Sequence, residues 1–171
     1  VNERLKSEGG MIERMRQGGS GIGSGPVSAP NVTARGKYNA AQAAALIRQA
    51  GGTAEEARIL GAIAMPESSG DPTRTNMVGR DRSYGLWQIN LHPETNPEDR
   101  MRRLGITDPE QLKDPRINAK AALMLLRGQL GARGGYQHWS TWQDNKHTPF
   151  LNAASEGAGG NVPMPQASSE L

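Results

Sequence analysis

A mainly helical α+β domain with one short, irregular hairpin is the fold class this sequence predicts, on three observations. Every aromatic residue lies between Tyr38 and Phe150, so the apolar core must be built there. Within that span, apolar residues recur at helical spacing in three stretches, each behind a recognisable cap. Between the second and third stretches, residues 73–91 carry turn formers and no long periodic run, which leaves room only for a small sheet. The 171 residues suit one domain of ordinary size. They divide into a polar, Gly/Ser/Pro-rich segment over 1–36, a globular domain over 37–152 and a flexible tail over 153–171.

Taken in order, residues 1–16 are expected to form a short polar helix broken at Gly9 and Gly10, and Gln17 to Gly36 to form a tether. Asn39 is placed to cap a helix over Ala40–Ala50, which Gly51 and Gly52 stop. Thr53 and Glu56 make a capping box. The helix it opens carries Leu60, Ile63, Ala64 and Glu67 at the i, i+3, i+4, i+7 spacing of one face. Ser69, Gly70, Asp71 and Pro72 end it. Thr107 and Asp108 precede Pro109 and start a short helix. Asp114 and Pro115 start a longer one, to about Leu130, with Ile117, Ala121, Leu125 and Leu126 inward and Gly131, Gly134 and Gly135 as its stop.

Composition excludes several classes. With no Cys, neither a disulfide scaffold nor a thiolate zinc site is available, and His92, His138 and His147 have no ligand spacing, so neither metal nor cofactor is expected. No apolar run reaches membrane-spanning length, and no basic-then-apolar start suggests a secretion signal. The net charge of +3, concentrated in the globular span, is a mild bias toward an anionic polymer. It gives little reason to expect nucleic-acid binding, and Arg100, Arg102 and Arg103 read as a solvated basic patch. The glycine-rich stretch from Gly18 has no preceding strand and no following Lys-Ser/Thr, so it is no phosphate loop.

Glu67 is the candidate for chemistry. It continues the apolar face of its helix, so its carboxylate should point where Leu60 and Ile63 point. Loss of hydration there raises a carboxyl pKa and keeps the proton on near neutral pH, as a glycosidase acid requires. A helix-terminal glutamate facing solvent is the competing reading. Asp71 at a helix-ending Asp-Pro step reads as a turn former, and Asp81 between Arg80 and Arg82 as a loop residue with an outside chance of a catalytic part.

Three motifs then bear on Glu67 together. They are Ala62 to Gly70 around it, Ser83 to Gln88 (Ser-Tyr-Gly-Leu-Trp-Gln), and the run from Asp114 through Asn118 leading to Gly134–Trp142 with its two tryptophans. In this order the sequence resembles the lysozyme-like lytic transglycosylases of the soluble-lytic-transglycosylase and goose-type lysozyme superfamily, and within it the branch found in phage tail and virion proteins. The resemblance covers about Tyr38 to Leu151. It implies a lysozyme-like fold that cleaves the glycan strands of peptidoglycan between N-acetylmuramic acid and N-acetylglucosamine. Glu67 would be the acid and later the base. Ser83, Gly85, Leu86 and Gln88 would shape the sugar-binding floor, and Trp139 and Trp142 would offer stacking faces. Read from the residues alone, both tryptophans could equally be core, Tyr84 and Trp87 are core, Ser83 could be a turn residue and Gln88 a buried partner of backbone groups.

The implied setting is a virion, tail-associated and acting in the bacterial wall or periplasm, with the flexible termini joining other virion proteins. The alternatives are a non-catalytic structural or wall-binding module of such an assembly and a bacterial wall-remodelling enzyme. Two departures from the family stand out. Pro66 occupies a small helix-former's place and forfeits a hydrogen bond to the Ala62 carbonyl, so a kink there would redirect Glu67. The Ala-Tyr-Asn signature of other lytic transglycosylases is missing, with the Trp-rich stretch in its place.

Overall fold

The computed structural model describes residues 36–165; the expected polar helix and nearly all of the expected tether lie outside them. The main elements are α1 (Ala40–Gln49), α2 (Ala54–Ser68), β1 (Thr75–Asn76), β2 (Ser83–Tyr84), β3 (Ile89–Asn90), α3 (Pro97–Leu104), α4 (Pro115–Leu126), α5 (Ser140–Gln143) and α6 (Leu151–Gly157). Short 3-10 turns at Pro93–Thr95, Pro109–Lys113, Tyr136–His138 and Thr148–Phe150 connect them. The fold is mainly helical, with three short strands in one small sheet, as expected.

Local chemistry accounts for the starts. Asn39 and Gln42 cap α1 reciprocally, the Gln42 amide donating to Asn39 Oδ1 at 2.8 Å and the Asn39 amide to Gln42 Oε1 at 2.9 Å. Thr53 and Glu56 do the same for α2, at 3.1 and 2.7 Å. Asp114 caps α4 ahead of Pro115 at N1. The α2 helix runs through Pro66 to Ser68, and its left-handed C-cap at Ser69 (φ 55°) ends it where expected. Asp71 is the turn former expected of it, its Oδ1 accepting from both the amide and the hydroxyl of Thr73.

The core lies where α1, α2, α4 and α6 meet, with Ala43, Ala44, Ile47, Leu60, Ile63, Ala121 and Ala122 all fully buried. The strands form one antiparallel sheet in the order β1-β2-β3, with Asn76 opposite Ser83 and Ser83 opposite Asn90. That register places three polar side chains in one row across the sheet.

Four expectations need correction. The stretch after 152 is not a flexible tail from its start: α6 crosses that boundary and buries Ala154, Gly157 and Ala158. A Cβ on Gly157 would stand 1.7 Å from the Ala41 carbonyl oxygen, so the small residues that read as low complexity are what lets α6 approach the alanine-rich α1. Further on, Gln42 Nε2 donates to the Pro163 carbonyl at 2.8 Å, and Met164 packs on the core. The third helix, α3, had no apolar repeat to announce it. It carries Arg100, Arg102 and Arg103, of which only two are solvated as expected: Arg102 and Arg103 are exposed and pair with Asp99, whereas Arg100 is buried, with Nη1 donating to the Asn90 carbonyl at 2.7 Å. Lastly, α4 ends at Leu126 because Gly128 turns left-handed (φ 72°), although Leu130 still reaches the core.

Candidate active site

Glu67 sits on the last turn of α2, half-buried, on the wall of a cleft of about 440 Å³. The sheet and its two turns contribute Thr75, Asn76, Asp81, Ser83, Gln88 and Asn90 to the same lining. Arg74 and the run His138, Trp139 and Ser140 complete the lining. Burial pushes the Glu67 carboxyl up from its ordinary value; a hydrogen bond from Thr141 and the positive charges of Lys146 and Arg74 oppose this without cancelling it. Thr141 Oγ1 donates to Glu67 Oε1 at 2.6 Å.

Long-range hydrogen bonds from side chains to backbone set the walls. Trp87 is fully buried and donates its indole N–H to the Leu60 carbonyl in the middle of α2, at 2.8 Å. Trp139 in turn donates its own indole N–H to the Trp87 carbonyl at 2.9 Å. Asn118, fully buried on α4, ties the same turn down: it accepts from the Trp87 amide and donates to the carbonyls of Tyr84 and Leu112, all three at 2.9 Å. Gly85 turns left-handed there (φ 79°), and a Cβ on it would stand 2.4 Å from the Asn118 amide nitrogen. The middle of α2, the 84–87 turn, α4 and Trp139 are thus fastened to one another through two indoles and one amide.

Four of the seven residues singled out in the sequence line the cleft: Glu67, Ser83, Gln88 and Trp139. Gln88 adopts φ 46°, and its side-chain amide donates to the carbonyls of Gly85 and Arg74 at 2.8 and 3.1 Å, so it shapes the floor by holding backbone. Gly85 and Leu86 are not in the lining; Leu86 is a fully buried core residue behind the floor. Neither tryptophan presents an open stacking face. Trp139 is only 3% exposed, and Trp142 lies outside the cleft lining with its ring stacked near-parallel on Tyr136 and on His147, centroids 5.7 and 6.4 Å away. Tyr84 and Trp87 pack as core, as expected.

Sequence reasoning did not single out Arg74, Asn76, Asn90, His138 or Thr141. Thr141 had a signal, since it sits inside the Trp139–Trp142 motif. His138 lies in the same Trp-rich stretch, whereas Asn76 and Asn90 reach the cleft through strand pairing, and Arg74 from just before β1, which leaves no local pattern. Asp81 lines the cleft as well, and its two carboxylate oxygens accept from Asn76 Nδ2 at 3.1 Å and Asn90 Nδ2 at 3.2 Å. Among the described residues no group of three or more His, Asp or Glu is placed to hold a metal, and no helix is long and apolar enough to cross a membrane.

A mainly helical domain with a half-buried glutamate at a helix end, lining a polar cleft beside a small sheet, has the features of a lysozyme-like domain. The chain matches the family of the lysozyme-like domain over residues 42–142, more than half its length, and it belongs to that family. No curated protein and no solved structure matches it. Membership carries a general expectation of peptidoglycan cleavage.

Proposed function

We propose that this chain cleaves the β-1,4 bond between N-acetylmuramic acid and N-acetylglucosamine in peptidoglycan strands, with Glu67 as the acid. The observation that supports this best is the state of Glu67: a half-buried carboxyl, raised in pKa by desolvation, opening onto a cleft lined by hydroxyls and amides that suit a sugar chain. Glu67 protonates the departing glycosidic oxygen. The resulting carboxylate then takes a proton from the muramoyl C6 hydroxyl as that oxygen closes on C1, giving the anhydro product, or from a water that attacks C1 instead. Ser83, Gln88 and Trp139 form the floor and wall against which the sugars rest. For its setting we propose a phage-like particle, where a wall-cleaving protein opens a path for the genome; this rests on the motif resemblance alone.

The test is digestion of purified peptidoglycan by the full chain beside Glu67→Gln, with products identified by mass spectrometry. Wild type should release muropeptides, and Glu67→Gln should be slower by at least about a hundredfold, the usual contribution of a positioned acid. Anhydro ends identify a lytic transglycosylase, and reducing ends a hydrolase. No release by folded wild type overturns the catalytic reading and leaves a structural or wall-binding module. Detection of the chain in purified particles, or its absence from them, decides the setting.

A further inference from the structure

We infer that Thr141 is a positioning residue for Glu67, fixing which of the two carboxyl oxygens carries the acid proton. The inference rests on Glu67 being the acid. Thr141 has one hydroxyl proton and spends it on Glu67 Oε1, at 2.6 Å. While that bond stands Oε1 acts as an acceptor, so Oε2 is left to carry the proton that is donated in the reaction. The bond also sets the rotation of the carboxyl group about its last side-chain torsion, which is otherwise broad.

The hydroxyl is itself held. No side chain caps the short α5 helix that carries it, so packing must place that turn. Two anchored tryptophans bracket Thr141 and supply the packing: Trp139, buried and bonded to the Trp87 carbonyl, and Trp142, stacked on Tyr136 and His147. This gives the Trp-rich segment a purpose that open sugar-stacking faces would not: it holds a proton donor against the end of α2.

The charged groups that bear on Glu67 are Arg74, from the chain after α2, and Lys146, from the chain after α5; Asp81 and His138 line the same cleft. Thr141 stabilises the ionised carboxylate and so opposes the upward push of burial. Its removal must therefore raise the Glu67 pKa further, and the high-pH limb of activity, where the acid loses its proton, must move to higher pH.

Thr141→Val removes the hydroxyl at nearly constant volume, and Thr141→Ser keeps it. In the full chain, we expect Thr141→Val to lower the maximal rate of muropeptide release about tenfold or more, the scale of one hydrogen bond to a charged group. Its high-pH limb should shift upward, while Thr141→Ser should stay near wild type in both respects. A Thr141→Val protein with wild-type rate and limb overturns the inference, as does a Thr141→Ser protein equally impaired. If Thr141→Val fails to fold, wild type decides: by NMR, the Thr141 hydroxyl proton must resist exchange and its shift must follow the Glu67 titration, and a freely exchanging hydroxyl overturns the inference. Unimpaired Glu67→Gln would instead overturn the acid role itself, a separate result.

Discussion

Glu67 shows how a single residue can be legible in sequence as to direction and illegible as to state. Its place on the apolar face of α2 set the direction of its side chain, but its proton affinity depends on burial and on Thr141, Lys146 and Arg74, the first two of which are distant in sequence. A raised carboxyl pKa has a sign for stability. Below the ordinary pKa the group is protonated whether folded or not, and nothing is lost; as pH rises through the folded-state value, ionisation in the cleft costs the native state stability that the unfolded chain does not lose. Glu67→Gln removes that penalty. We expect its melting temperature to match or exceed wild type at neutral pH, with the gap closing as pH falls through the carboxylate range; thermal melts across pH check it, and a gap that widens toward low pH would contradict a raised pKa. Asp81 makes a second case. If its clamped carboxylate holds an attacking water, Asp81→Asn should suppress reducing-end products selectively while leaving any anhydro products, which muropeptide analysis resolves.

Among the elements, α6 and α3 are instructive because both escaped the sequence. Hydrophobic periodicity finds helices that bury large residues. The α6 helix buries small ones instead, Ala154, Gly157 and Ala158, against an equally small-residued α1, and composition of that kind imitates a linker. Two outcomes follow from the contact. A chain ending after 152 should melt well below one ending after 165, and Gly157→Ala should cost about 1–3 kcal/mol because its methyl has no space beside the Ala41 carbonyl. Chemical denaturation measures both, and wild-type stability in either variant would mean that α6 is not part of the folding unit. In α3 the polar composition concealed a structural arginine: buried Arg100 holds the Asn90 carbonyl of β3, and so supports the strand that carries half of the Asp81 clamp.

For the molecule as a whole, the cleft exists because three segments are tied together by groups that have no choice of partner. A buried indole N–H or amide must find an acceptor, and here those of Trp87, Trp139 and Asn118 find backbone carbonyls 27, 52 and 34 residues away. Asn118→Leu should therefore cost more than a cavity-neutral substitution usually does, about 2–4 kcal/mol, by stranding the Trp87 amide and the Tyr84 and Leu112 carbonyls, and it should lower activity along with stability. Denaturant midpoints and muropeptide release on the same preparation check this. Retained activity at reduced stability would show that the floor keeps its shape without the clamp.

The sequence by itself determined the capped helices α1, α2 and α4, the turn at Ser69–Pro72, the smallness of the sheet and the residue to watch, because caps, helical repeats and turn formers act within a few residues of one another. Only the tertiary structure decided that Asn76, Asp81, Ser83 and Asn90 share a wall, that Trp142 is stacked away from the cleft, and that Thr141 meets Glu67. Those are contacts between segments up to 74 residues apart. They come from the packing of small-residue faces and the pairing of buried polar groups, which leave no period in the chain.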